Sequence, residues 1–217
     1  MVHISTGVTS RPPATARAIH RRLLVGVDAD VGAVTSLGDD VFVVFLNNDQ
    51  HIEVYNVASA YIQHTRKIPV PGLGYCCWGL AACERYNCVY ASDWGNDIIH
   101  RVELSGYYAV MKWSVASRPA GLSLTSHHNL LVACQGEYKI QEFTTYGFLL
   151  RNIKLQESGK IEKPQQVIYY TSSPNYMLIK AYFCSLLSAP HIRFRVEIFL
   201  VDGMHLTFGM MTLHCIS

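Results

Sequence analysis

The chain has 217 residues, 50% of them apolar and 16% charged, and 18 basic against 16 acidic side chains leave a formal net charge of +2. That size and balance imply one folded domain with a substantial core and exclude a disordered chain. The charge surplus is too small for the footprint of a dedicated DNA binder.

The first 28 residues read as a poorly ordered extension. They contain no apolar run of the length a secretory signal requires, so secretion through this N-terminus is not expected. The most apolar stretch, 176–211, is interrupted by Lys180, Arg193, Arg195, Glu197 and Asp202, and reads as no membrane span. Seven cysteines form an odd set, and N-x-Ser/Thr acceptors are absent. Both features favour a reducing compartment, and the cytoplasm is the expected location.

From residue 29 the chain repeats. Gly32, Gly79 and Gly121 open similar segments 47 and then 42 residues apart, and Gln166-Val167 opens a fourth 45 residues later. After each opening come a polar turn and a short β-rich run: Val41–Val44 after Asp39-Asp40, Cys88–Tyr90 after Tyr86-Asn87, Leu130–Val132 after His127-His128-Asn129, and Tyr176–Leu178 after Pro174-Asn175. Such pairs read as hairpins. A third strand starts 20, 20 and 19 residues after the glycines, at Ile52, Ile99 and Ile140. Fourth strands follow at 61–68, 110–115 and 150–155, with polar residues that suit an outer edge.

Four short strands per unit of 40 to 50 residues describe the blade of a β-propeller. The fold class is therefore all-β, with about three complete blades (30–75, 77–118, 119–163), a diverged fourth at 164–180, and an inserted or diverged segment at 181–217. The recurring glycine is explained by close approach of backbones near the axis. In the fourth unit the candidate third strand, Ile198–Val201, begins 32 residues after Gln166, a surplus of about a dozen that reads as an insertion or a gene-model error. Three and a half blades leave sheet faces uncovered, so missing blades from a longer parent chain, or self-association, are expected to cover them.

The run Pro119-Ala120-Gly121-Leu122, with variants Cys77-Trp78-Gly79-Leu80 and Pro164-Gln165-Gln166-Val167, resembles the NHL repeat. The segment 89–102 carries the rest of that pattern: Asp93, then Asn96, then the apolar-basic-apolar strand Ile99-His100-Arg101-Val102. The first and third units depart from it, with Asn47-Asn48-Asp49 and Gln135-Gly136-Glu137 at the equivalent turn. The resemblance covers roughly 30–180 and implies a six-bladed propeller. Its uses include partner docking in tripartite-motif ubiquitin ligases, single-stranded RNA binding and a metal-dependent lyase. Fold alone does not choose among these.

No catalytic motif is present among the common hydrolase, zinc-protease and phosphate-binding signatures. Asp93 and Asn96 read first as turn residues bonding their own backbone, and Cys76, Cys77, Cys83 and Cys88 lack the paired C-x-x-C of a zinc site. No cofactor is expected. Cys83 and Cys88 flank a four-residue turn and read as a cross-strand pair of buried thiols in the cytosol. The leading expectation is a non-enzymatic module that binds a protein partner through loops at one propeller face. Its candidate residues are Asn48, Asp49, Asp93, Trp94, Asn96, Gln135, Glu137 and Tyr138, with Trp94 as anchor. An RNA-binding propeller, using Arg66, Lys67, Lys112, Arg151 and Lys154 on the fourth strands, and a fragment of a metal-dependent lyase or lactonase-like propeller are the alternatives.

Overall fold

The computed structural model describes residues 31–46, 50–74, 76–106, 108–154, 164–169, 176–184, 193–202 and 205–213, apart from 59–60, and the account below concerns these. The extension at 1–28 and the candidates Asn48 and Asp49 lie outside them. Among the described residues there are four four-stranded antiparallel sheets, each taken up in chain order. The first holds β1 (Val31–Leu37), β2 (Val41–Leu46), β3 (His51–Ala58) and β4 (Tyr61–Pro69). The second holds β5 (Cys77–Cys83), β6 (Cys88–Asp93), β7 (Ile98–Glu103) and β8 (Val110–Ser114). In the third are β9 (Pro119–Leu124), β10 (Leu130–Cys134), β11 (Lys139–Phe143) and β12 (Leu149–Lys154); in the fourth, β13 (Gln166–Tyr169), β14 (Tyr176–Cys184), β15 (Arg193–Asp202) and β16 (His205–Leu213).

Each first strand packs on the next sheet's first strand, in the order β1, β5, β9, β13. Neighbouring sheets bury their faces against each other. Val43, Phe45, Val54 and Ile68 of the first meet Leu80, Val89, Ala91 and Val102 of the second. Cys88, Tyr90 and Ile99 on the opposite side of the second meet Leu122, Leu130, Val132 and Phe143 of the third. A strand buried on both faces needs no polar alternation, which is why all six residues of β6 are buried while β12 is almost wholly exposed.

The repeat glycines explain how the first strands come so close. A Cβ on Gly79 would strike the Ala120 carbonyl oxygen, and one on Gly121 would lie 2.5 Å from Gln166 Cα and 2.6 Å from the Gln165 carbonyl. Gly121 N–H also donates to that carbonyl at 2.7 Å, so this position joins two sheets. Each first strand of the three leading sheets carries a register shift at its start, between Val31 and Ala33, between Cys77 and Leu80, and opposite Val132 to Cys134. Bulges of this kind re-aim side chains at a strand end.

The fourth sheet runs on to Leu213, past residue 180 where the sequence placed the end of the repeats. The surplus spacing is taken up by long strands. β14 has nine residues and β15 ten, paired from Tyr176 with Val201 to Cys184 with Arg193, and β16 completes the sheet. Cys83 and Cys88 are cross-strand partners, and both are buried free thiols. Among the described residues no helix is long and apolar enough to cross a membrane.

Candidate functional site

One end of the assembly carries the turns between second and third strands and the connectors that lead from a fourth strand to the next first strand. The turn after β6 is Trp94–Asp97, and the turn after β10 is a single 3-10 turn, Gln135–Glu137, ending on Tyr138 in the left-handed region (φ 50). Between them runs the β8–β9 connector, 115–118. It is tied on both sides: Val115 N–H donates to the Asp97 carbonyl (2.9 Å), Gln135 N–H to the Arg118 carbonyl (3.1 Å) and Gly136 N–H to the Ser117 carbonyl (3.0 Å). Gln141 accepts from Ala116 N–H at 2.6 Å, and Asp97 Oδ1 accepts from Arg118 N–H at 2.6 Å. Arg118 itself sits at φ 58, a backbone region disfavoured for a long side chain and held here by these bonds.

This scaffold gathers aromatic rings and a cation. The Trp78 and Trp94 rings stack with centroids 6.1 Å apart and planes 24° from parallel. The Arg118 guanidinium lies over the Trp94 ring at 5.2 Å, and Trp94 Nε1 donates to Gln135 Oε1 at 3.3 Å. Trp94 is thereby fixed in orientation from two sheets. Trp78 is 50% exposed at the start of β5, so the outer part of the stack faces solvent.

The sequence candidates divide accordingly. Trp94 and Gln135 are brought into direct contact. The reading of Trp94 as the exposed anchor needs correction: it is half-buried, and the exposed indole is Trp78. Asp93 also needs correction, because it is fully buried at the end of β6 and cannot touch a partner. Its Oδ2 accepts from Gly74 N–H and from Asn96 Nδ2, each at 2.9 Å, its Oδ1 from Asn96 N–H at 3.2 Å, and His100 Nε2 is 3.4 Å away. Asn96 is exposed as a residue, yet its amide is spent on Asp93. Glu137 is exposed and paired with Lys139 at 2.6 Å, whose ammonium holds its carboxyl below the usual range. Tyr138 is half-buried.

The titratable groups nearby are arranged for structure. Burial drives the His100 imidazole below its ordinary pKa, against the opposing pull of Asp93, so it is neutral at neutral pH. Burial likewise pushes the Cys77 and Cys134 thiols up to about 12, and neither is a thiolate nucleophile. Among the described residues no group of three His, Cys, Asp or Glu side chains is placed to hold a metal ion.

Solved structures share this architecture. Hydrazine synthase from Kuenenia stuttgartiensis superposes with a TM-score of 0.64 at 13% identity, over 88% of this chain and 51% of that one. A catalytically inactive virginiamycin B lyase from Staphylococcus aureus, bound to quinupristin, gives 0.59 at 11% identity over 86% and 72%. A nidogen/laminin complex gives 0.58 at 13% over 84% and 62%. This chain is part of a β-propeller. It spans about half the hydrazine synthase chain. At these identities the likeness is one of fold. No protein-family model and no curated protein matches the chain.

Trp78 stands on β5, the first strand of its sheet, with Trp94 stacked on it and Arg118 over Trp94. Reasoning from the sequence missed both Trp78 and Arg118. A signal for Trp78 was present: the residue just before the repeat glycine or its equivalent is Val31, Trp78, Ala120 and Gln165, and only one of these is a large aromatic.

Proposed function

We propose that this chain is a non-enzymatic docking module, an NHL-like propeller segment that binds a protein partner through the face bearing the second-to-third-strand turns. The observation that carries this reading is the Trp78–Trp94 stack, half exposed and locked across two blades by Gln135 and Arg118. Tryptophan and arginine dominate binding hot spots, and a rigid pair loses little entropy on binding. The groups beneath the face are buried: Asp93 holds the turn, burial keeps the Cys77 thiol protonated, and the His100 ring is closed off from solvent, which supports a non-catalytic reading. The NHL assignment rests on the pattern of Asp93, Asn96 and Ile99–Val102, where Asp93 and Asn96 close the turn on each other.

Trp78→Ala removes exposed surface and one stacking contact, so it is expected to cost no more than about 1 kcal/mol of stability. It should lower capture of the native partner at least about tenfold, the scale of a hot-spot truncation. Affinity capture with the wild-type and variant chains, beside their thermal melts, makes the comparison. Undiminished capture by the variant overturns the reading.

A further inference from the structure

The charges around the stack indicate what kind of partner it receives. At the connector Asp97 Oδ1 accepts from the Arg118 backbone N–H at 2.6 Å, and its carboxylate makes no ion pair with the Arg118 guanidinium. Glu137 is occupied by Lys139 at 2.6 Å. Among the described residues no carboxylate lies within ion-pair distance of the Arg118 guanidinium, which is exposed and held over Trp94. Five N–H donors in a planar fork are therefore presented beside an open indole face, with no acid among the described residues paired to them. The Trp78 indole N–H is likewise without an acceptor among the described residues.

Resting on the docking reading above, we propose that the site takes an acidic peptide segment in which an aromatic side chain stands next to an aspartate or glutamate. The ring lies against the exposed part of Trp78, and the carboxylate accepts a forked pair of hydrogen bonds from Arg118. An aromatic residue alone would leave the guanidinium unpaired at the edge of a contact, and a basic segment would be repelled by it. A nucleic-acid strand also combines rings with anions, but it needs a positive track. Among the described residues Arg118 is the cation placed over the stack, and two of the basic residues on the fourth strands are committed elsewhere: Arg66 donates to the Leu104 carbonyl at 2.7 Å, and Arg151 pairs with Glu142 at 2.6 Å.

The test uses the full chain on an array of synthetic peptides that pair Phe, Tyr or Trp with Asp, Glu, Asn, Gln, Lys or Arg at close spacing, with fluorescent oligouridylate titrated separately. Aromatic peptides with Asp or Glu are expected to bind, and their Asn or Gln counterparts about tenfold more weakly. Arg118→Gln should bring the ratio of binding between Asp or Glu peptides and their Asn or Gln counterparts down to about one. The connector bonds of Arg118 are made by its main chain, so the variant keeps its fold. Trp78→Ala should remove binding of every peptide. Peptides of neutral or basic composition bound through Trp78 as tightly as the acidic ones would overturn the acidic assignment and leave the docking face standing. Retention of oligouridylate with no peptide bound would overturn both.

Discussion

Asp93→Ala is expected to destabilise the chain by about 3 kcal/mol or more, read as a shift in the denaturation midpoint with an unchanged slope. The carboxylate is fully buried and accepts from Gly74 N–H, Asn96 N–H and Asn96 Nδ2, with His100 beside it. Alanine takes the shared acceptor away from those donors and leaves a cavity where the fully buried carboxylate stood, and each group left buried and unsatisfied costs about 1–3 kcal/mol. The loss has a structural address. Gly74 belongs to the connector that enters the second sheet and Asn96 to the turn that carries Trp94, so one side chain ties the two together. The third sheet does the same with a different residue, Gln141, which accepts from Ala116 N–H. A loss below about 1 kcal/mol would mean that water replaces the carboxylate, and the tether would have no energetic weight.

Gly121→Ala is the second large effect, with an expected cost of about 2–3 kcal/mol. The new Cβ would stand 2.5 Å from Gln166 Cα and 2.6 Å from the Gln165 carbonyl, both backbone-bound atoms that cannot swing aside. Relief requires moving the first strand of the fourth sheet away from the third and lengthening the 2.7 Å bond between Gly121 and Gln165. Gly95→Ala is the control. Its Cβ would meet only Asp93 Oδ1, at 4.0 Å, so its effect should stay within about 0.5 kcal/mol. Equal melting temperatures for the two variants would show that the sheets are not held at the spacing described.

The blade plan was legible because it is written in local terms. Turn residues such as Asp39-Asp40 and Tyr86-Asn87 separate short apolar runs at a fixed period, and the strands at β2, β6 and β10 start at the residues those turns predict. Gly79 and Gly121 were also readable, since a close backbone approach at the same place in both units requires a missing Cβ. The site was harder. Asp93 and Trp94 are adjacent in a segment that reads as a turn, yet β6 extends through Asp93, so the acid ends fully buried and the Trp94 indole half-buried against Trp78. Arg118 lies in a connector with no periodicity. Its partner ring belongs to another strand pair, and no spacing rule links the two. In the fourth unit the excess length was visible, but strand extension and an inserted loop give the same count of residues. The pairing of β14 with β15 distinguishes them.

The central claim is that binding occurs on the face where Trp78, Trp94 and Arg118 meet, and hydrogen–deuterium exchange of the chain with and without its captured partner tests it most directly. The account predicts slowed exchange on binding at 76–79, 94–97, 116–118 and 135–138, with the opposite turns at 84–87, 126–129 and 144–148 unchanged. Protection confined to those opposite turns, with the Trp78 and Arg118 segments exchanging as in the free chain, would contradict it.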